Sequence, residues 1–353
     1  MPKLSVHLVT WNGAKYVPYL FDSLKKQTER NWELFIWDNA SGDNMVELMK
    51  KEIQDFSVPV ELIAHTSNDG FAGGHNALYK KTTGEYVVML NQDMYLEADC
   101  FEKLLAYMEG HADVAAISPR LMRWDFSLVE QQRLEDSFTE YVDSLGLQVF
   151  RNRRVIEQYT QERWSPESIN PKMVALQSQE NLAVFGVSGA LPLFRRRAIH
   201  DVSFRDGTFL DASYHSYKED VDLAYRLQSA GMHAVVLLSA VGYHDRSAAG
   251  PKELHDAAAL ENKKKQSSWV KYHSYKNHLM TLYKNEYGKN VLLDFFPIVW
   301  YELKKLVYIL LFDRAVLKGV GEIWKLRKSL KEKRLFIIHK RKVSREEIRK
   351  WWK

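Results

Sequence analysis

Apolar positions in the first third of the chain alternate between two rhythms. Short runs rich in β-branched and aromatic residues, Leu4 to Thr10, Trp32 to Trp37, Val60 to Ala64, Glu85 to Leu90 and Val114 to Ser118, predict strands. Between them, Tyr16 to Lys26, Asn44 to Gln54, Gly74 to Lys81 and Cys100 to Glu109 predict helices. In the first helix Val17, Leu20, Phe21 and Leu24 share one face, because each lies three, four or seven positions from Val17. Strand–helix alternation of this kind predicts an α/β fold, a mostly parallel sheet flanked by helices. Ligands of such sheets bind beyond the carboxyl ends of the strands, so the residues just after each strand are the first place to look for chemistry.

The pattern then changes. Residues 120 to 180 are polar, rich in Arg, Gln and Glu, and read as an insertion or flap. Strand-like segments resume at Val184 to Ser188 and His233 to Leu238, with a helix from about Glu219 to Ala230 between them. From about Pro251 the pattern is helical to the end. This divides the chain into a catalytic-type domain at 1–250, with halves 1–118 and 119–250, and a helical extension at 251–353.

Composition refines the picture. With 46% hydrophobic residues in 353, the chain can bury a sizeable core. A lone cysteine, Cys100, suits a reducing compartment. Met1-Pro2-Lys3 runs straight into a strand-like segment without the apolar core of a signal peptide, so the expected location is cytoplasmic. Lys318 to Lys353 carries 14 Lys/Arg against 4 Asp/Glu, while the whole chain is only +5. A basic tail on a mildly acidic body points to a polyanionic surface, nucleic acid or anionic lipid. Just upstream, Val291 to Phe312 is apolar and aromatic but interrupted by Asp294, Pro297, Glu302, Lys304 and Lys305. It is too broken to span a bilayer, and it fits a helix lying in the interface, peripheral at the inner face of the cell membrane. Leu335, Phe336, Ile337 and Ile338 within the basic tail favour lipid over nucleic acid.

Five clusters carry candidate chemistry, four of them just after strands and the fifth at a helix start. Thr10-Trp11-Asn12 and Asp38-Asn39-Ala40-Ser41-Gly42-Asp43 offer an acid and amides for a base or ribose, although Ser41 and Asp43 also suit helix capping. Gly70-Phe71-Ala72-Gly73-Gly74-His75-Asn76 offers close backbone approach and a helix start that favours phosphate. It matches neither the dinucleotide fingerprint nor the P-loop. Asn91-Gln92-Asp93 ends a buried strand with one acid, suited to Mg²⁺ or Mn²⁺ or simply to a turn. Glu219-Asp220-Val221-Asp222 opens a helix with three acids, which offset the helix dipole or supply a general base. His244, after the last strand, is either structural or completes a metal site with Asp93.

In this order the segments resemble family-2 glycosyltransferases with the nucleotide-diphospho-sugar-binding GT-A fold, and are most similar to the bacterial rhamnosyltransferase-like branch. The resemblance covers nearly the whole chain and adds Gly186-Val187-Ser188-Gly189-Ala190 and Tyr275-Lys276-Asn277-His278 to the matching segments. It implies Asp220 as catalytic base and Thr10, Trp11, Asn12, Asp38, Asn39, Gly73, Gly74, Asn76, Asn91 and Gln92 as donor-binding residues. It further implies Asp93 and His244 as ligands of Mg²⁺ or Mn²⁺, with Gly189, Glu219, Asp222 and Arg246 around the acceptor and sugar. Asn91 stands where the family's metal motif has its first acid, and Arg246 is a second source of positive charge for a diphosphate. The implied reaction is inverting transfer of a sugar, rhamnose or a relative, from a dTDP- or UDP-linked donor. The implied acceptor is a lipid-linked glycan of cell-surface polysaccharide synthesis. A non-catalytic sugar-nucleotide-binding scaffold protein is the alternative, but such a protein has no need of Asp93 and Asp220.

Overall fold

The computed structural model describes residues 2–129, 133–246, 264 and 266–353. The helical pattern expected from Pro251 therefore lies partly outside the described residues. The N-terminal half alternates β1 (Leu4–Thr10), α1 (Val17–Lys25), β2 (Trp32–Asp38), α2 (Met45–Glu52), β3 (Val60–Ala64), α3 (Gly70–Lys81), β4 (Tyr86–Leu90), β5 (Met94–Leu96), α4 (Cys100–Gly110) and β6 (Val114–Trp124). The middle of the chain supplies β7 (Phe138–Ser144), β8 (Leu147–Val149), β9 (Val155–Glu157), α5 (Pro171–Leu176), β10 (Asn181–Val184), β11 (Leu193–Arg195), α6 (Arg196–Val202), α7 (Glu219–Ser229) and β12 (His233–His244). Then come α8 (Ser268–Asn285), α9 (Gly288–Leu293), α10 (Phe295–Phe312), α11 (Lys318–Lys325), α12 (Arg327–Lys340) and α13 (Arg345–Arg349).

The main sheet runs β10-β12-β6-β11-β4-β1-β2-β3, with β5 added on β12 and β7 on β6. Its β3-β2-β1-β4 half is parallel, as expected, with Leu4 beside Trp32 on one side and Tyr86 on the other. The whole sheet is mixed, because β11 inserts antiparallel between β4 and β6. That three-residue strand is too short to leave a periodic signal. Every residue of β1 is buried, since helices cover both faces of this central strand. Val17, Leu20, Phe21 and Leu24 of α1 pack with Leu4, Val6 and Leu8 on one face of the sheet. Burying each such side chain contributes about 1.5–3 kcal/mol. On the opposite face, Ala72 of α3, Ile199 of α6 and Leu223 and Leu227 of α7 pack over Val87 and Met89.

Three boundaries differ from the sequence reading in ways that matter for the site. Helix α3 begins at Gly70, not Gly74, so the glycine cluster is its first turn and not a loop. Residues 120–180 are more regular than expected. Strand β6 extends to Trp124 and pairs with β7, while β8 and β9 form a hairpin. The strand expected at Val184 to Ser188 ends at Val184.

Candidate active site

A cavity of about 510 Å³ lies at the carboxyl ends of β4 and β12, roofed by the β8–β9 hairpin and bordered by α7 and α8. It gathers Asn91, Asp93, Gly189, Glu219, Asp220, His244 and Arg246, seven residues singled out from the sequence and drawn from four separate segments.

Asp220 sits in the first turn of α7. Its Oδ1 accepts from the Val221 N–H at 2.7 Å and its Oδ2 from the Gly189 N–H at 3.3 Å. Burial and the neighbouring Glu157 carboxylate raise its pKa, against Lys218 and these two amides. A carboxyl aimed at a cavity, held by two backbone donors and shifted towards neutrality, is suited to taking a proton. Gly189 lies against it, and a Cβ there would come into ordinary contact with that of Asp220 at 3.4 Å. Glu219 is buried beside it, with Oε2 unpaired among the described residues, and burial followed by Asp220 pushes its pKa up to about 8.

The segment entering α7 is held in an uncommon backbone conformation. His215, Tyr217 and Lys218 all have positive φ, 63°, 72° and 70°, which costs of order 1 kcal/mol or more per non-glycine residue. Two elements grip it. The Ala72 N–H of α3 donates to the His215 carbonyl at 3.1 Å, and the Phe71 N–H to Ser216 Oγ at 3.4 Å. From α8, Asn277 Nδ2 reaches the carbonyls of Tyr214, Ser216 and Tyr217 at 3.0, 2.8 and 2.7 Å. The start of α3, expected to hold phosphate, thus spends the amides of Phe71 and Ala72 on the loop that delivers Asp220, and that of Gly70 on Asn68 Oδ1 at 2.9 Å.

On the opposite wall His244 Nε2 lies 3.3 Å from Asp93 Oδ1, and its Nδ1 lies 2.9 Å from Asp143. Burial disfavours the imidazolium, but the Asp93 and Asp143 carboxylates outweigh it and raise its pKa to about 9. Among the described residues no three His, Cys, Asp or Glu side chains converge as a metal-binding group. The residues present nevertheless fit a Mg²⁺ or Mn²⁺ ion. One carboxylate and one imidazole, the imidazole oriented by a second carboxylate behind it, leave the remaining positions for diphosphate oxygens and water. Arg246 is already engaged. Its Nε donates to Asp143 at 3.1 Å, Nη1 to Glu157 at 3.0 Å and Nη2 to Ser188 Oγ at 3.1 Å. Its charge serves to assemble this wall and is not held in reserve for a diphosphate.

At the ends of β1 and β2 the donor-binding candidates divide. Trp11 is half exposed and Asn12 exposed at the rim. Asn12 Oδ1 accepts from the Gly42 N–H at 2.7 Å, and Gln92 ties both the N–H and the carbonyl of Trp11 to the end of β4, at 2.8 and 3.0 Å. Thr10 and Asp38 turn inward. Asp38, 1% exposed, accepts from Thr10 Oγ1 at 2.9 Å, Ser41 Oγ at 2.6 Å and Ser41 N–H at 2.9 Å. Here the acid shapes the loop that carries the rim and does not itself face a ligand. Ser41 is committed to it, while Asp43 Oδ1 accepts from the Met45 N–H at the start of α2 at 3.2 Å and Asn44, at the N-cap position, makes no side-chain bond to the helix.

Five further residues are corrected from ligand contacts to structural ties. Asn39 accepts from Trp37 Nε1 and the Asp69 N–H, each at 3.2 Å. Asn76 accepts from the N–H groups of Phe209 and Leu210 at 3.0 and 3.1 Å. Gly74 lets α3 approach the sheet, because a Cβ would lie 2.9 Å from Val9 and 3.0 Å from Trp37; at Gly73 it would meet Asp69 at 2.8 Å. Asp222, expected in the acceptor pocket, lies behind it. It bonds Arg226 at 3.0 Å and Lys284 of α8 at 2.9 Å, all three fully or almost fully buried. Helix periodicity explains this: two residues on from Asp220, a side chain points about 200° away.

Sequence reasoning missed Asp143 and Glu157, and named Ser188 and Asn277 only within matching segments, without a role for either side chain. The first two sit on β7 and β9, inside the stretch read as irregular, and only the charged His244 and Arg246 downstream signalled a need for carboxylate partners.

The family model for glycosyl transferase family 2 matches residues 5–203, more than half of the chain, and the chain belongs to that family. It is 26% identical over 139 residues to EpsE of Bacillus subtilis, covering 39% of this chain and 50% of EpsE. It is 24% identical over 227 residues to an uncharacterized glycosyltransferase of Haemophilus influenzae, covering 63% of this chain and 67% of that protein. To the poly(ribitol-phosphate) β-N-acetylglucosaminyltransferase TarS of Staphylococcus aureus it is 28% identical over 120 residues, 33% of this chain and 21% of TarS. The chain thus spans half of EpsE and about a fifth of TarS.

Among solved structures, GalNAc-T7 with UDP, GalNAc and Mn²⁺ superposes with a TM-score of 0.55 at 12% identity, covering 80% of this chain and 48% of that one. The mannosyltransferase PcManGT of Pyrobaculum calidifontis, in complex with GDP-Man and Mn²⁺, superposes with a TM-score of 0.51 at 15% identity, covering 96% and 86%. These likenesses establish the GT-A fold, a curled mixed sheet flanked by helices, here followed by a helical region.

Proposed function

We propose that the protein is an inverting glycosyltransferase that moves a sugar from a nucleotide-diphosphate donor to an acceptor hydroxyl, with Asp220 as general base. The observation that carries this reading is the meeting, in one cavity, of a backbone-held carboxyl with a raised pKa and the Asp93–His244 pair. In the reaction an acceptor oxygen attacks the anomeric carbon as its proton passes to Asp220, and the nucleoside diphosphate leaves from the opposite face. Asp93 and His244 would hold Mg²⁺ or Mn²⁺, which supplies positive charge to the departing diphosphate. Asp143 keeps the His244 ring oriented, Gly189 and Val221 orient the base, and Trp11 and Asn12 border the place for nucleotide. The bound nucleotides named for GalNAc-T7 and PcManGT support a nucleotide-sugar donor. A dTDP- or UDP-linked rhamnose or related sugar remains our reading of the donor.

The C-terminal helices support a membrane-facing acceptor. Among the described residues no helix is long and apolar enough to cross a membrane. Phe296, Trp300, Leu303, Leu311 and Phe312 of α10 and Trp324 of α11 are nonetheless 47–83% exposed, beside the basic tail. We read this as interfacial binding to anionic lipid at the inner face of the cell membrane, with residues 251–353 as the membrane-facing extension of a catalytic domain at 1–250.

The test is a panel of nucleotide sugars incubated with the full chain, with and without Mn²⁺, following release of nucleoside diphosphate. Release from one donor, abolished by chelation, supports the reading. Silence together with no nucleotide binding in a thermal-shift assay favours a scaffold protein.

A further inference from the structure

The β8–β9 hairpin roofs the cavity, yet its tip is anchored outside it. Leu147, Val155, Ile156 and Glu157 line the cavity. Arg153, in the turn between the two strands, is instead fully buried against the C-terminal helices. Its backbone has φ 67°, a conformation that glycine adopts freely and other residues adopt at a cost. The turn itself thus gains nothing from an arginine, and the reason for one lies in what its guanidinium reaches. Its Nε donates to Glu286 at the end of α8 at 2.7 Å, Nη1 to Asp294 at the start of α10 at 3.0 Å, and Nη2 to the Asn290 carbonyl of α9 at 3.3 Å. Asp294 also accepts from Arg349 of α13, so two arginines and two carboxylates balance in one cluster. The guanidinium carbon of Arg153 lies 3.8 Å from the centroid of the Trp352 ring, within reach of a cation–π contact.

Residues 348–353 join the roof directly. The Arg151 N–H donates to the Lys353 carbonyl at 2.9 Å and the Lys353 N–H to the Val149 carbonyl at 3.1 Å, beside the bridge between Val149 and Trp352. Ile348 and Trp352 also pack in one apolar cluster with Leu147 and Val149 of β8 and with Val221 and Ala224 of α7. Val221 supplies the N–H that holds Asp220, and Glu157, at the end of β9, is the carboxylate that bears on Asp220 and pairs with Arg246. The same segment therefore meets both the roof and the helix that carries the base. Neither Arg153 nor Trp352 is in the cavity wall, so any effect of theirs on the chemistry passes through the parts they hold.

Building on the transferase reading of this cavity, we propose that Arg153 and Trp352 are positioning residues for the transfer. Stacked on each other, they clamp the β8–β9 roof with its Glu157 against α7, and so fix the place of Asp220. The C-terminal extension is then part of the active site as well as a membrane-facing element. The donor side, with Trp11, Asn12, Gln92 and Asp93, stands on the ends of β1 and β4, so nucleotide affinity should be insensitive to the clamp.

The test uses the full chain with Arg153→Gly, which removes the side chain at a backbone suited to glycine, and Trp352→Leu, which leaves the ion pairs in place. Two quantities are read: nucleoside diphosphate release from the productive donor with Mn²⁺, and backbone hydrogen exchange by mass spectrometry. In both variants kcat should fall roughly 10–100-fold, the scale of a small misplacement of a reacting group, with the donor KM within about twofold of the unaltered protein. Exchange should rise roughly tenfold or more in residues 145–157 and 219–225 and stay unchanged in β1 and α1. A kcat within about twofold of the unaltered protein in the folded variants overturns the proposal. So does an equal rise in exchange throughout the chain, the mark of a general loss of stability. If Arg153→Gly does not fold, Trp352→Leu decides by the same criteria. Absence of turnover with every donor in the unaltered protein strikes the transferase reading, and the exchange measurement still decides the clamp: protection lost in 145–157 supports it, and unchanged exchange there overturns it.

Discussion

Replacing Lys284 by methionine should cost about 3 kcal/mol, because the ammonium sits at the centre of a buried network joining α7 to the C-terminal helices. Lys284, Asp211 and Asp222 are all 0% exposed, with Nζ 2.5 Å from Asp211 and 2.9 Å from Asp222. Lys284→Met keeps the volume, so the packing change is small. It removes two charge-assisted hydrogen bonds, each contributing roughly 1.5–3 kcal/mol. The loss falls short of stranding a bare charge, since Asp211 keeps Lys333 at 2.6 Å and Asp222 keeps Arg226 at 3.0 Å. Urea unfolding of the full chain at pH 7 measures the difference, and in a thermal scan the melting point should fall by roughly 4 °C. The pH dependence adds a second check. Burial opposes ionisation of both aspartates, but Lys284 and its companions hold their pKa values below the usual carboxylate range. A depressed folded-state pKa contributes stability that is fully present above the unfolded value, about 3.9, and fades as pH falls below it. The gap between variant and parent should therefore be full at pH 7 and narrow below about pH 4. A loss under about 0.5 kcal/mol at pH 7, or a gap constant down to pH 3, would refute the network's assigned role.

Three other outcomes follow from the same geometry. Glu219→Gln should flatten the pH dependence of stability: a folded-state pKa near 8 means the native protein holds a proton that the unfolded chain releases above about 4.5. Stability carried by that proton falls by up to about 1.4 kcal/mol per pH unit between pH 5 and 8, and denaturation of the variant across this range should lack that slope. Gly74→Val should lower stability by about 1–3 kcal/mol by forcing α3 off Val9 and Trp37, measured by chemical unfolding. Asn277→Ala releases the carbonyls of Ser216 and Tyr217. It should lower kcat more than the KM for the donor, because the segment it holds delivers Asp220 and not the nucleotide.

The parallel half of the sheet was legible in the sequence because β1, β2 and β4 are long apolar runs and α1 and α4 have clean buried faces. Strand β11, three residues long, and the short β8–β9 hairpin carry no usable period. The stretch holding Asp143 and Glu157 therefore looked irregular. Among site candidates, Asp93 and His244 at strand ends and Glu219 and Asp220 at the start of α7 do converge, since the sheet's topology brings the carboxyl ends of β4 and β12 together beside that helix. What misled was residue type without direction. Asp38, Asn39, Asn76 and Asp222 have the chemistry of ligand contacts, yet each is buried and hydrogen-bonded within the fold. The glycines of α3 were read as room for a ligand and instead make room for Val9, Trp37 and Asp69.

The most direct test of the central claim compares the unaltered protein with Asp220→Asn, measuring nucleoside diphosphate release from the productive donor alongside nucleotide binding by calorimetry. The account predicts a fall in turnover of roughly 10²–10⁴-fold with binding unchanged. Turnover within a few-fold of the unaltered protein would contradict it.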